Sequence, residues 1–197
     1  MKKYKLTNET IVHLGFTLYR IEALMDFSDV KTGDKGGFVQ SENNLSQLGN
    51  AWVYGNAKVY DNAEVYDNAE VRGDAFVCGN AKVYGNAKVY DNAKVYGNAK
   101  VYGDAEVYDN AEVYDNAEVR GDAKIYKNSD YIVFKNWWSS GRYFTWTRSN
   151  KMWKVGCFYG NDEELIKKAY ADSEESGREY ERVVRYVENI LADELNK

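Results

Sequence analysis

One histidine, His13, and two cysteines, Cys78 and Cys157, are the side chains of this 197-residue chain best suited to acid–base, nucleophilic or metal chemistry. A general base must reach the proton it removes, and a metal needs three or four converging ligands. One histidine and two isolated cysteines supply neither, and His13 within IVHLG reads as a strand residue. The cysteines read as two reduced thiols rather than a disulfide framework. Gly33, Gly36 and Gly37 invite a phosphate-loop reading, but they lack the GxxxxGK[ST] spacing and no helix follows, so a structural turn is preferred. The expectation is therefore no catalytic residue, no metal, no cofactor and no enzyme.

Two other patterns could bind rather than react. Residues 129–160 hold Trp137, Trp138, Trp146 and Trp153 among Lys135, Arg142, Arg148, Lys151 and Lys154, with Asp130 as the one acid. Arg142, Phe144, Trp146 and Arg148 alternate onto one strand face. Basic groups interleaved with aromatics can hold phosphates and stack rings. A small aromatic core with charged edges is the plainer reading, but a ligand site belongs here if anywhere. Its expected members are Trp137, Trp138, Arg142, Trp146, Arg148, Lys151, Trp153 and Lys154. The second pattern is tyrosine, which occurs 18 times. It suits interfaces, but aromatic cross-strand pairs also stabilise sheets, and the two readings weigh evenly.

The element that positions these tyrosines is a repeat. Residues 51–128 run in 13 hexads without a gap, from AWVYGN to AKIYKN. The first position is always Ala, the third is Val or Ile125, and the sixth is Asn or Asp. Ala and Val two apart line one side of a strand. Gly-Asn or Asp-Asn supplies a corner, because these residues tolerate left-handed backbone angles. A helix would repeat its apolar stripe every 3.6 residues, so this is stacked strand. Proline cannot donate to a strand ladder, and the chain has none where average usage gives about ten.

Stacking by 18, three hexads to a coil, sets opposite charges on one another: Glu70, Lys88, Glu106 and Lys124 in one column, then Glu64 on Lys82, Lys94 on Glu112, and Lys100 on Glu118. Only Lys82 on Lys100 breaks the pattern, whereas stacking by 12 would bring several like charges together. The same spacing stacks Tyr66, Tyr84 and Tyr102 in one outward column and Tyr90, Tyr108 and Tyr126 in another, a possible oligomer interface. The expected body is a three-sided prism of four to five coils, about 20–25 Å tall.

The hexads resemble the left-handed β-helix repeat [LIV]-[GAED]-x-x-[STAV]-x, read from Val59 as V-Y-D-N-A-E. The left hand is implied by that resemblance; general crossover chirality argues the other way. The segments KYKL (3–6), ALMDFSDVKTGDKGGFV (23–39) and NLSQLGNAWVY (44–54) are similar to the N-termini of bacterial and phage hexapeptide-repeat proteins of the YdcK type, which often carry a transferase label. Hexapeptide-repeat acyltransferases use a histidine base and a loop that interrupts the coils; here the histidine is outside the coils and the coils are uninterrupted.

The remaining elements flank the prism. Thr17 to Leu24 reads as a strand, and 39–50 drift into hexad register with Val39 and Leu45 on the alanine column. Beyond Asn128, residues 131–135, 142–148 and 152–159 read as three strands. Helices follow from Asn161, whose side chain and Glu164 form a capping box, and from Ser173. The fold expected is mainly β: an N-terminal cap (1–44), a left-handed parallel β-helix (45–128) and a C-terminal α+β module, βββαα (129–197). The helical stripe of Tyr180, Val183, Val184, Val187, Ile190 and Leu191 reads as core.

Net charge of −5 gives no global reason for nucleic-acid or lipid binding, and neither a secretory signal nor a membrane span is read, so a cytoplasmic location is expected. The leading function is a non-enzymatic binding protein, with a protein partner, self-association or an anionic or nucleotide ligand as candidate contacts. The rivals are a phage- or prophage-encoded inhibitor that occupies a host defence protein or sequesters a nucleotide signal, and an acyltransferase-like enzyme.

Overall fold

The computed structural model describes residues 2–195. Met1, Asn196 and Lys197, the outer ends of the expected first and last segments, lie outside the described residues. Two long strands, β1 (Tyr4–His13) and β2 (Phe16–Ala23), form an antiparallel hairpin, and β3 (Lys35–Val39) pairs with β2. Thirteen two-residue strands follow, one per hexad, from β4 (Trp52–Val53) to β16 (Lys124–Ile125). They stack into three parallel sheets, each strand lying on the one three hexads away: Lys88 faces Glu70 and Glu106, and Val89 faces Val71 and Val107. The result is a parallel β-solenoid of five coils.

Each hexad position has one physical task. The first-position alanines and the third-position valines are fully buried from Ala51 to Ile125 and form one continuous core. Burying each valine contributes about 1.5–3 kcal/mol. The fifth position adopts left-handed backbone in twelve hexads, from Gly55 (φ 59°) and Asp61 (φ 60°) to Gly121 (φ 73°). The thirteenth has Lys127 there, with φ −152°, and the chain leaves the coil at that residue. Sixth-position asparagines stack as amide ladders, Asn50 on Asn68 and Asn68 on Asn86, both at 3.1 Å.

The entry register differs from the expected one. Val39 lies on Val59 and Leu45 on Val65, two residues out of hexad phase, so both fill the valine column rather than the alanine column. The reason is volume: a branched side chain fits the interior slot, and the two extra residues are taken up between Leu45 and Val53, which are eight apart instead of six. Gly36 and Gly37 belong to β3, not to a loop. A Cβ on Gly37 would stand 2.5 Å from the Ala57 carbonyl oxygen, and one on Gly36 would stand 2.6 Å from that of Val53. They are glycine because the strand lies directly over the first full coil.

Stacked parallel coils have a polarity. In each coil the second- and fourth-position N–H groups donate to carbonyls one coil further on, as Lys58 does to Ala75 (3.0 Å) and Lys88 to Ala105 (2.9 Å), while parallel pairing turns the third-position N–H back to the preceding coil. Each end of the prism therefore presents both kinds of backbone group, with first- and third-position carbonyls open at the first end and second- and fourth-position N–H groups open at the last. The first end is met by donors: Lys3 Nζ to the Ala51 carbonyl (2.8 Å), the Tyr4 hydroxyl to Leu45 (2.7 Å), Arg20 to Gly36 (2.7 Å), and the Asn44 amide to Asp61 and Ala63 (2.9 Å each). The last coil is met by acceptors, one on each side. Glu112 N–H donates to Asn128 Oδ1 (2.9 Å), Glu118 N–H to Thr145 Oγ1 (2.9 Å) and Lys124 N–H to Ser149 Oγ (2.7 Å).

Two of those acceptors belong to the C-terminal module. It has four antiparallel strands rather than three: β17 (Tyr131–Lys135), β18 (Tyr143–Thr147), β19 (Met152–Val155) and β20 (Phe158–Gly160). The expected strand 152–159 is split by a tight turn at Gly156, whose φ is 54°. Helices α1 (Asp162–Asp172) and α2 (Glu174–Leu195) follow, α1 opening on the expected Asn161–Glu164 capping box. Phe144, Trp146 and Trp153 face the helices and pack with Leu165, Tyr180, Val184 and Val187. Thr145 and Lys154, on the opposite face of the sheet, meet the last coil.

Deleting one whole coil, residues 81–98, keeps both end caps in register, so the variant should retain a β-rich circular dichroism spectrum and a cooperative thermal transition. Deleting a single hexad, residues 93–98, rotates one cap by a third of a turn and should abolish that transition. Thr145→Val leaves the Glu118 N–H buried and unmet, and chemical denaturation should show a loss of about 1–3 kcal/mol; no change would mean the cap contributes nothing.

Candidate functional site

The residues singled out for chemistry are dispersed. His13 ends β1, and its ring packs against Tyr60 (5.5 Å) and Phe76 (6.0 Å) with Nε2 buried and unpartnered. Burial, then the nearby Lys58 ammonium, lowers its pKa. Cys78 is half-buried beside the Tyr60 hydroxyl, its thiol pushed up by burial, while Cys157 is exposed in the β19–β20 turn. Among the described residues no three His, Cys, Asp or Glu side chains converge to hold a metal, and no helix is long and apolar enough to cross a membrane.

The coil tyrosines stack on each other. Tyr66 and Tyr84 are 4.8 Å apart with nearly parallel rings, Tyr84 and Tyr102 4.7 Å, Tyr90 and Tyr108 4.9 Å. Tyr126 crosses Tyr108 edge-on at 4.0 Å and is 47% exposed. Ring faces are thus occupied along each column, and a partner would meet edges and hydroxyls. Several hydroxyls are engaged too: Tyr90 donates to Glu106 (3.0 Å) and Tyr96 to Glu112 (3.0 Å).

The eight aromatic and basic residues expected at a ligand site separate into three groups. Trp146 and Trp153 are buried in the module core, where neither can stack a ligand, and Trp138 lies half-buried against Tyr180 (4.9 Å). Arg148 makes a two-pronged ion pair with Glu194 on α2, and Lys154 bonds Glu118 of the last coil (3.2 Å). Trp137, Lys151 and Arg142 stay on the surface, Trp137 being 76% exposed.

Arg142 is the residue that remains available. It makes no ion pair with any other described residue, and it lines two depressions. One is a cleft of about 310 Å³ within the module, with Asn136, Lys168 and Tyr180 in its wall. The other is a groove of about 340 Å³ between module and solenoid, lined by Arg142 and Tyr143 on one side and by Asn98, Lys100, Asn116 and Glu118 on the other.

The electrostatics of the groove are one-sided. The Glu118 carboxylate is shared by Lys100 (2.9 Å) and Lys154 (3.2 Å) and accepts from the Tyr102 hydroxyl (3.4 Å). Burial opposes its ionisation, but the two lysines prevail and hold its pKa below the usual range. Lys100 and Arg142 line the groove and Lys154 lies nearly buried behind Glu118, so these three cations and one carboxylate carry a net charge of +2. The solenoid half of this groove, Lys100 and Asn98 above all, was not singled out in the sequence. The signal was present: Lys100 on Lys82 is the one like-charge step in the ladder, and the structure satisfies each lysine in the opposite direction, Lys82 with Glu64 (3.0 Å) and Lys100 with Glu118.

Fold and site together define a capped parallel β-solenoid protein with a basic groove where its C-terminal module meets the last coil. Compared with known protein families the chain matches none, and no curated protein matches it.

Stacking has a measurable pH signature. Burial first of all pushes the Tyr66 and Tyr96 phenols up to about 12 and those of Tyr90, Tyr102 and Tyr108 further still. Unfolded tyrosines lose their protons near pH 10. Above that pH the folded state holds more protons than the unfolded state, so stability is intact below about pH 10 and falls as pH rises beyond it. Buried Lys3, lowered to about 8 by burial, acts oppositely between about pH 8 and 10.5, where the unfolded state holds the extra proton. The denaturation midpoint should therefore fall steeply above about pH 10, with native tyrosinate absorbance rising only at higher pH. Native titration at the ordinary tyrosine value would refute the buried columns.

Proposed function

We propose that this chain is a non-enzymatic binding protein in which the five-coil prism is a rigid spacer and the C-terminal module engages a partner bearing negative charge. The observation that carries the reading is Arg142: an exposed guanidinium in no ion pair, at the mouth of two depressions and beside the exposed Trp137 turn. Arginine and tryptophan are among the residues enriched at binding hot spots. The partner is a protein or an anionic ligand, and tyrosine edges on the solenoid offer a second surface for self-association.

The finer expectations belong to the same proposal: kinship with hexapeptide-repeat proteins of the YdcK type, a left-handed coil and a cytoplasmic location. The N-terminal residues 3–6, 23–39 and 44–54 support the first, the hexad pattern the second, and the absence of any disulfide the third. The rival reading, a phage-encoded inhibitor that occupies a defence protein or takes up a nucleotide signal, rests on the phage-like resemblance of the N-terminal residues, and the Lys100–Arg142 groove suits its nucleotide form. A transferase reading has less behind it, because His13 sits outside the coils against two rings.

Affinity purification from host lysate tests the reading. Arg142→Glu with Trp137→Ala should lose the partners that the wild-type chain retains, while Lys151→Glu should retain them. Arg148 is unsuitable for the test, because its ion pair with Glu194 holds α2 to the sheet. Identical partners for all three proteins would remove the module from consideration.

A further inference from the structure

We infer that the groove between the last two coils and the C-terminal module is a phosphate-binding site built jointly by the solenoid and the module. This rests on the reading of Arg142 given above and extends it, because half of the site lies in the repeats. Arg142 enters from the module side, and Lys100 reaches the groove from the next-to-last coil. Lys100 and Arg142 are the cations that line a space of about 340 Å³; Lys154, nearly buried behind Glu118, helps neutralise that carboxylate, so the four groups together carry a net charge of +2. A net positive charge at a concave surface attracts an anion, and a planar guanidinium fork pairs with phosphate oxygens through two parallel bonds.

The remaining walls suit the same ligand. Asn98 and Asn116 form the last rung of an amide ladder, at 3.4 Å the longest rung in its column. An amide held so weakly has N–H capacity to turn toward an anion. Tyr143 is 44% exposed at the rim, a ring against which a planar group attached to the phosphate can lie. Glu118 also lines the groove, but its carboxylate is engaged by Lys100, Lys154 and Tyr102 and does not stand there as a free anion. The ligand class is therefore a phosphate oxyanion, free or carried next to an aromatic ring.

Isothermal titration of the full chain with sodium phosphate and with adenosine monophosphate, against sodium chloride at equal ionic strength, provides the test. Saturable binding of phosphate is expected, with adenosine monophosphate tighter through Tyr143. Arg142→Gln and Lys100→Gln should each weaken both by about tenfold or more. Asn98→Asp, which adds a carboxylate to the groove without touching the Glu118 ion pairs, should do the same while the circular dichroism spectrum shows the solenoid retained. Heats indistinguishable from chloride overturn the site. Binding that Arg142→Gln abolishes but Lys100→Gln and Asn98→Asp leave unchanged also overturns the joint site, and returns Arg142 to the module cleft, where the broader binding reading stands by itself.

Discussion

A stack of parallel coils cannot satisfy its own ends, and most of what surrounds this solenoid follows from that. Second- and fourth-position N–H groups are directed toward the following coil and first- and third-position carbonyls toward the preceding one, and the residues between them point the opposite way. Leaving a buried backbone group unmet costs about as much as a lost hydrogen bond, and each end has several. Both ends therefore need donors and acceptors. At the first end donors predominate, of which the Lys3 ammonium, with three N–H bonds to give, is the most economical, and Gln40 Oε1 accepts from the Asp61 N–H. At the last end hydroxyl, amide and carboxylate oxygens accept from N–H groups, while the Tyr131 and Tyr159 hydroxyls donate to the Glu112 and Arg120 carbonyls. Burying a lysine is otherwise expensive; here the exposed carbonyl ring justifies it, and the depressed ammonium pKa records the cost.

The interior of the prism was legible because each hexad position has a single task. Alanine and valine two apart, with a left-handed corner two residues later, admit only a strand and a turn, and the charge columns fixed the 18-residue stack. Lys127, in place of Gly or Asp at the corner, even marks where coiling ends. The flanks were less legible because their tasks are set by three-dimensional neighbours. Val39 and Leu45 fit the hexad phase by counting, but the interior slot selects by volume and shifts them two places. Nothing local in 152–159 announces that Gly156 breaks the strand; its positive φ is imposed by the β19–β20 turn.

The binding residues show the same division. Alternation along 142–148 correctly placed Phe144 and Trp146 on one face, yet alternation does not say which face meets solvent. The helices took that face, so the tryptophans became core and the threonines and Lys154 turned toward the coils. A sheet covered on both sides has few side chains left to contact a ligand. What stays accessible comes from its margins, the 136–142 turn and the first residue of β18, where neither layer reaches.

Capping and binding are therefore linked in this molecule. The last coil needs acceptors on all three sides, and the module supplies two of them from one sheet face, which fixes the module against the prism with little freedom to rock. Lys154 adds a third tie by joining Glu118, which Lys100 already holds. Once Glu118 is doubly engaged, no carboxylate is left to meet Arg142, and an arginine at the seam keeps its charge unpaired. The positive groove is thus a consequence of how the end of the solenoid was sealed, and its rigidity comes from the same hydrogen bonds that make the prism stop.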